Sequence, residues 1–294
     1  MRAVRGKGNL NPVQGPHVQS AVHAAMSCAS ALGLAADDAT VLHASNRVTM
    51  RLMPCEVVAR VAPLTYRPSA EFEIEVARRL AETGSPVAAL EPRVHPRVYV
   101  HGDFVLNFWT CYESAGGVEP RDYAHALSGL HAGMRQVDSS APHFTDRIAE
   151  AQRLVDAPAA TPELDNADRA LLSIALRELT TSIVQRGRPE QLLHGEPHPG
   201  NLLNTAAGPL FIDFETCCRG PVEFDVAHAP EAVAAHYPGT GPDMLRDCRL
   251  LTKAIVAAWR WDRNDHFPNG RQMGIELLSE VRLSFARHGS DTTH

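Results

Sequence analysis

The segment HGEPHPGN, residues 194–201, followed by IDFE at 212–215, holds the residues of this 294-residue chain best suited to chemistry. Glu196 stands five positions before Asn201, and a second acid, Asp213, follows a short apolar run. Phosphoryl transfer needs a carboxylate that orients the attacking hydroxyl, and it needs hard oxygen ligands for magnesium. The pattern therefore predicts phosphoryl transfer, with a hairpin that brings Asn201 and Asp213 to one ion.

Two histidines of the same segment, His194 and His198, are further catalytic candidates. Kinase catalytic loops have the same spacing of acid and amide, and a histidine leads them, as His194 does here. The separation of four residues between His194 and His198 could also suggest a zinc site, but only a helix would present both histidines on one face. Pro197 and Pro199 exclude a helix interior, so we expect no zinc. We expect His194 to be a hydrogen-bonded structural residue and His198 to be a loop histidine.

The elements that must position these residues change in character near residue 112. Before it, the sequence predicts short strands at 40–43, 47–53, 56–62, 97–101 and 104–109. It also predicts two helices, at 17–33 and 71–84. After it, helical patterns at 121–137, 162–186 and 240–287 enclose the stretch 187–224, which glycine and proline interrupt.

The segments 194–201, 212–215 and GPVEFDVA (220–227) resemble the aminoglycoside phosphotransferase and choline kinase-like superfamily. Its members carry H-G-D-x-H-x-x-N, then I-D-[FW]-[ED], then G-P-x-x-x-D-[LV]-A. The resemblance implies a two-lobed α+β fold of the protein-kinase type. Residues 1–110 would form a small β-rich lobe that covers the nucleotide, with a leading helix. Residues 111–294 would form a larger helical lobe for catalysis and substrate binding.

By position, the resemblance implies roles for four residues of the second lobe. Glu196 would be the catalytic acid/base, Asn201 and Asp213 would bind magnesium, and Asp225 would brace the catalytic loop. The family usually has Asp where this chain has Glu196, which is one methylene longer. A misplacement of ~1 Å can cost ~100-fold in rate. Two outcomes stay open: an active enzyme with a rearranged pocket, or a catalytically silent relative that still binds nucleotide.

In the first lobe, the resemblance implies a cation for the phosphates and a carboxylate that holds it. By position, Arg60 would be the cation and Glu73 would be the carboxylate, with Glu75 as the alternative carboxylate. The forked guanidinium suits phosphate oxygens. Arg60 could instead be a solvated arginine at a strand edge.

Two further segments of the first lobe are candidates for contact with the nucleotide. The loop with Ser45 and Asn46 could cover the phosphates, although it lacks the glycine that eases close backbone approach. The stretch with Trp109 and Cys111 resembles the family's hinge, whose backbone meets the adenine edge. Trp109 could equally be a core aromatic residue.

Composition limits the partners. The net charge of −6 argues against a nucleic-acid partner. The six cysteines form no C-x-x-C pair, which favours reduced thiols and a cytoplasmic location. No apolar region follows the basic start, and no apolar stretch approaches the ~20 residues of a membrane helix, so we expect no signal peptide and no membrane partner.

The resemblance implies transfer of the γ-phosphoryl group of ATP or GTP, with Mg2+, to a small hydroxylated molecule that could be cationic. Antibiotics are the leading acceptors, with aminoglycosides first. The alternative is a metabolic kinase for an amino alcohol, a sugar or a homoserine-like molecule. Acidic residues that could contact a cationic acceptor are Asp262, Asp265 and Glu276. The sequence leaves the choice between monomer and dimer open.

Overall fold

The structure is a computed structural model that describes residues 15–45, 47–265 and 267–291. The described residues form two compact units. The first contains the chain up to Glu82 together with Val87–Ser114, and the second contains Thr83–Pro86 and the chain from Ala115 onward.

The first unit is built on an antiparallel sheet, whose strands are β1 Ala36–Ala44, β2 Val48–Pro54, β3 Val57–Pro63, β4 Tyr99–His101 and β5 Phe104–Thr110. In the described residues, the strand order is β1-β2-β3-β5-β4. Its two helices are α1 Pro16–Ala31 and α2 Arg67–Glu82. The predicted β-rich first part is therefore confirmed.

Alternating burial explains how the strands of this sheet present Arg60. In β3, Val57, Ala59 and Val61 are buried, and they pack with α1 in one apolar core. Because side chains alternate across a strand, Arg60 lies on the other face of the sheet. There it stands opposite Asn107 of β5 in the strand register.

The second unit is mostly helical. Its helices are α3 Pro120–Met134, α4 Phe144–Val155, α5 Asn166–Gln185, α6 Val222–Val226, α7 Glu231–Ala234, α8 Pro242–Arg260 and α9 Gly270–Asp291. Its strands form two antiparallel pairs, β6 Glu190–Leu193 with β9 Cys218–Pro221, and β7 Leu202–Thr205 with β8 Gly208–Phe211. Helices α4, α5, α8 and α9 share the main core, which confirms the predicted helical second part.

Helix α4 has no counterpart among the predicted elements. Its buried residues Phe144, Ile148, Ala151 and Val155 follow the spacing of one helix face. His143 caps its start, where the side chain of Asp146 accepts the backbone N–H of His143 at 3.0 Å. The helical prediction over 240–287 is confirmed, and the structure divides this region into two helices, α8 and α9.

Within the described part of the chain, no helix is both long enough and apolar enough to cross a membrane. All six cysteines are free thiols. The cytoplasmic location stays a prediction.

Candidate active site

The candidate catalytic loop, residues 194–201, connects β6 to β7. Gly195 has a φ of +88°, and a Cβ atom there would lie 2.0 Å from the carbonyl oxygen of Thr216. Only glycine can therefore occupy this position without displacing backbone. The loop closes in a single turn, Pro199–Asn201, whose start His198 caps by accepting the Gly200 N–H at Nδ1, 3.0 Å away.

Asp225 of α6 fixes the backbone of this loop through hydrogen bonds. Its Oδ1 accepts the N–H of Gly195 at 2.8 Å, and its Oδ2 accepts the N–H of His194 at 2.8 Å. The ring Nε2 of His131 is a third partner, 2.9 Å from Oδ2. Burial alone would raise the pKa of Asp225, but these donors and the charge of His131 hold that pKa below its usual range. An ionised, fully buried carboxylate thus holds two successive amides of the loop.

His194 connects the loop to the strand pair that follows. It is fully buried, and burial lowers the pKa of its imidazole, so the ring is neutral near pH 7. Its Nε2 donates to the carbonyl of Ile212 at 2.9 Å, and its Nδ1 faces the N–H of Glu196 at 3.4 Å. The geometry therefore fits the structural role expected for His194.

His194 and His198 differ in burial and in their surroundings. His198 is exposed on the loop, whereas both ring nitrogens of His194 lie against protein groups. Among the residues with described positions, no three His, Cys, Asp or Glu side chains group so as to hold a metal ion.

The hairpin of β7 and β8 brings Asn201 and Asp213 to neighbouring positions. The carbonyl of Asn201 accepts the N–H of Ile212 at 3.1 Å, and Asp213 is the next residue. The side-chain Nδ2 of Asn201 donates to the carbonyl of Glu196 at 3.0 Å. Its Oδ1, which no described residue bonds, remains as an acceptor. An amide oxygen beside a carboxylate is a donor set that fits Mg2+.

Asp213 itself has an unusual backbone. Its φ of 69° and ψ of 68° lie in the left-handed region, which residues other than glycine seldom adopt. Such strain is found preferentially at functional sites, where it aims a side chain that a relaxed strand would turn elsewhere.

Glu196 is held by an arginine that the sequence motifs do not contain. Its Oε1 accepts a hydrogen bond from Nη2 of Arg147, on α4. Burial alone would raise the pKa of Glu196, but Arg147 and, to a smaller extent, His228 and the hydrogen bond from Arg147 lower it. Glu196 is therefore a carboxylate at neutral pH. Its Oε2 accepts no hydrogen bond from the residues that the structure describes.

His228 is a second residue beside Glu196 that the sequence reasoning missed. Burial and the positive charge of Arg147 lower the pKa of His228 to about 4, against a raising effect of Glu196. Its Nε2 is buried and has no hydrogen-bond partner among the described residues. At neutral pH the ring is therefore uncharged.

In the first unit, the predicted pair of Arg60 and Glu73 is brought together. Nη1 of Arg60 bonds to Oε1 of Glu73, whose side chain is fully buried. Asn107 Nδ2 lies 3.4 Å from Oε2 of the same carboxylate. The alternative, Glu75, is instead an exposed partner of arginines on its own helix.

Arg47 was not predicted for this cluster. Its Nη1 lies 3.5 Å from Oε2 of Glu73, and its Nη2 donates to Oγ of Ser69 at 3.0 Å. Arg47 is the last residue of the loop, 44–47, that the sequence predicts to cover the phosphates. Two arginines and one buried carboxylate therefore belong to the same cluster.

The remaining candidates of the first unit are placed as follows. Ser45 is exposed, and its N–H donates to the carbonyl of Arg47 at 2.9 Å, which closes the turn. Asn46 lies outside the described residues. Trp109 is buried and donates from Nε1 to Oδ1 of Asn107 at 2.8 Å, which fits a core aromatic residue. Cys111 is half-buried and lies directly beyond the end of β5.

The acids considered for a cationic acceptor all have protein partners. Oδ1 of Asp262 accepts the N–H of Asn264 at 2.9 Å, and Asp265 pairs with Arg260 at 2.6 Å. Glu276 accepts a hydrogen bond from Gln272 of its own helix at 2.8 Å.

The loop 194–201 thus carries a neutral histidine, an ionised glutamate and an amide, and the carboxylate of Asp213 follows the end of β8. The profile of the phosphotransferase enzyme family matches residues 40–247. This is more than half of the chain, so the chain belongs to that family, and the predicted resemblance is confirmed. No curated protein matches the sequence.

Solved structures agree on the fold. An amicoumacin kinase in complex with AMP-PNP, Ca2+ and Ami is 14% identical, with a TM-score of 0.67 over 91% of this chain and 96% of that one. The GDP complex of aminoglycoside 2'-phosphotransferase-IIIa is 15% identical, with a TM-score of 0.66 over 89% and 98%. A choline/ethanolamine kinase family protein from Mesorhizobium loti is 13% identical, with a TM-score of 0.61 over 90% and 97%. Identities this low establish the fold alone, and they confirm the protein-kinase-like α+β class.

Proposed function

We propose that the protein transfers the γ-phosphoryl group of a nucleoside triphosphate, ATP or GTP, to a hydroxyl group of a small molecule. One observation carries the proposal: Glu196 is ionised, and it stands on a loop whose backbone is fixed by a buried carboxylate. One of its two carboxylate oxygens, Oε2, has no hydrogen bond from a described residue. That oxygen suits the hydroxyl of an acceptor, because phosphoryl transfer depends mainly on positioning and on charge neutralisation.

In this mechanism the acceptor hydroxyl donates its hydrogen bond to Glu196. Its oxygen attacks the γ-phosphorus in line, the bond to the β-phosphate oxygen breaks, and the nucleoside diphosphate leaves. Glu196 takes the proton of the hydroxyl as the new bond forms, and later releases it to solvent. Magnesium, which Asn201 and Asp213 would hold, supplies charge neutralisation for the phosphate oxygens when bound.

The first unit contributes the contacts to the nucleotide in this proposal. Arg60, oriented by Glu73, binds phosphate oxygens through its forked guanidinium. Ser45 and Asn46 belong to the loop that covers the phosphates, and the backbone at Trp109 and Cys111 receives the base. The cluster around Glu73 supports the first of these roles, because a buried carboxylate limits the rotamers that Arg60 can adopt.

Antibiotics stay the first candidates for the acceptor, since an amicoumacin kinase and an aminoglycoside phosphotransferase share the fold. A metabolic amino alcohol, sugar or homoserine-like molecule is the second candidate, and among these Arg147 favours the sugar. A guanidinium in contact with the proposed base repels an ammonium group brought to the same place. The partners of Asp262, Asp265 and Glu276 likewise reduce what these acids could offer to a polycation.

A substrate panel tests the proposal. ATP and GTP are each offered with Mg2+ to aminoglycosides, other hydroxylated antibiotics, amino alcohols, sugars and homoserine, and nucleoside diphosphate formation is followed. We expect acceptor-dependent turnover that Glu196→Gln and Asp213→Asn each reduce at least 100-fold.

The exposed Glu150, on α4, provides a matched control, because Glu150→Gln should leave turnover unchanged. Nucleotide binding with no transfer to any acceptor would identify the protein as a catalytically silent relative. Turnover that survives Glu196→Gln would exclude Glu196 as the base.

A further inference from the structure

Arg147 contacts two successive residues of the candidate catalytic loop. Its Nη1 donates to the carbonyl of Gly195 at 3.1 Å, and its Nη2 bonds to Oε1 of Glu196. The guanidinium also lies over the ring of Trp259, 5.0 Å from the ring centre. Only 13% of the Arg147 side chain is exposed, so these contacts replace water around most of the charge.

The three contacts restrict Arg147 in different directions. The Trp259 ring supports the flat face of the guanidinium, whereas Gly195 and Glu196 are bonded at its edge. The two Nη atoms belong to one rigid plane, so the position of the Gly195 carbonyl determines where a carboxylate can bond. Gly195 is itself fixed by Asp225, at 2.8 Å from its N–H. The position of the Glu196 carboxylate is therefore fixed, through Arg147, relative to the braced backbone of Gly195.

A glutamate at this place needs such a restraint more than an aspartate does. Its additional methylene adds one rotatable bond between the loop and the carboxylate, and therefore more positions in which the carboxylate is not productive. An aspartate at the same position would be shorter and would not reach Arg147 from the same backbone. Arg147 bonds only Oε1, so it holds the group while Oε2 remains directed elsewhere.

We propose that Arg147 is the positioning residue that makes Glu196 competent as the base, an inference that rests on the proposed phosphotransferase function. Arg147 does not touch the reacting atoms. It acts by confining the Glu196 carboxylate to one location beside the acceptor hydroxyl. The two residues act together, because Glu196 needs Arg147 to hold its carboxylate in place and only an acid of this length reaches Arg147.

Steady-state kinetics on the acceptor that the panel identifies test the kinetic part. Arg147→Met should lower kcat about 10- to 100-fold and change the KM for nucleotide less than about twofold, because a carboxylate displaced by about 1 Å loses rate in that range. Arg147→Ala should regain activity when guanidinium chloride is added at millimolar concentration. Arg153→Met, which removes an exposed arginine of the same helix, is the matched control and should match the wild-type kcat.

Combination with Glu196→Asp separates positioning from a general structural effect. Since the shorter acid does not reach Arg147, adding Arg147→Met to Glu196→Asp should lower kcat less than about threefold. If Arg147→Met lowers kcat equally in the wild-type and Glu196→Asp backgrounds, and guanidinium does not rescue Arg147→Ala, then Arg147 has only a structural role. Wild-type kcat in Arg147→Met would refute the proposal directly.

A crystal structure of Arg147→Met gives a readout that needs no turnover. We expect the Glu196 carboxylate to leave its wild-type position or to occupy several rotamers. A carboxylate that stays in place overturns the positioning role, even if the wild-type protein transfers no phosphoryl group. Absence of transfer in the wild type refutes the proposed function instead, so the two failures are distinguishable.

Discussion

Replacing Asp225 by Asn should damage both the stability of the second unit and its activity. Asp225 is fully buried and accepts three hydrogen bonds, from the N–H groups of His194 and Gly195 and from the ring of His131. The asparagine side chain has the same shape but only one acceptor oxygen. The NH2 group of the asparagine must therefore face one of the N–H donors whose hydrogen bond the carboxylate accepts in the wild type.

The size of the effect follows from counting these bonds. If the asparagine oxygen takes the place of Oδ2, the N–H of Gly195 is left buried and unpaired, which costs about 1–3 kcal/mol. The two bonds that remain change from charge-assisted to neutral, at a loss of about 1 kcal/mol each. We therefore expect a loss of about 3–5 kcal/mol in the free energy of unfolding, and a fall in Tm of roughly 6–12 °C.

Urea unfolding and thermal unfolding of the purified variant measure the loss, and the transfer assay at 15 °C measures the activity of the part that stays folded. Asp243→Asn is the matched control, since 71% of the Asp243 side chain is exposed and it pairs with Arg246 on the helix surface. That variant should lose less than about 0.5 kcal/mol. An Asp225→Asn protein within about 1 kcal/mol of wild type and fully active would refute the view that Asp225 braces the loop.

Three more predictions concern single residues. Glu73→Gln should weaken nucleotide binding at least 10-fold in calorimetric titration, because it releases the arginines around it, whereas the exposed Glu75→Gln should have no effect. Gly195→Ala should abolish measurable transfer and lower Tm, since its Cβ would lie 2.0 Å from the Thr216 carbonyl oxygen; a variant with wild-type Tm would contradict this. Burial and Arg147 hold the pKa of His228 at about 4, below its unfolded value, so its stabilising contribution is complete above pH 6.5 and declines as pH falls toward 4. His228→Gln should therefore make the loss of stability between pH 7 and pH 5 smaller by about 1–2 kcal/mol in urea unfolding, and an unchanged loss would exclude this source.

The sequence predicted those parts of the site that local patterns determine. The β7–β8 hairpin follows from short apolar runs separated by a turn, and it brings Asn201 next to the strand end that carries Asp213. Likewise the alternating apolar residues of β3 predict a strand, which directs Arg60 away from the core.

The partners that come from distant segments were not predictable in this way. Arg147 lies 49 residues before Glu196, on a helix whose spacing of apolar residues was overlooked. Arg47 and His131 carry no motif of their own, and only the folded chain shows that they bond to Glu73 and Asp225. A closer count of the helical spacing from Phe144 onward would have found α4, but nothing in that spacing indicates which residue Arg147 meets.

The transfer step itself is the most direct test of Glu196 as the base on this loop. Enzyme in excess over radiolabelled nucleotide is mixed with Mg2+ and the acceptor, and the label on the acceptor is measured in a single turnover. We predict rapid labelling by the wild type, and labelling at least 100-fold slower by Glu196→Gln with its nucleotide affinity unchanged. Equal labelling rates for the two proteins would contradict the account.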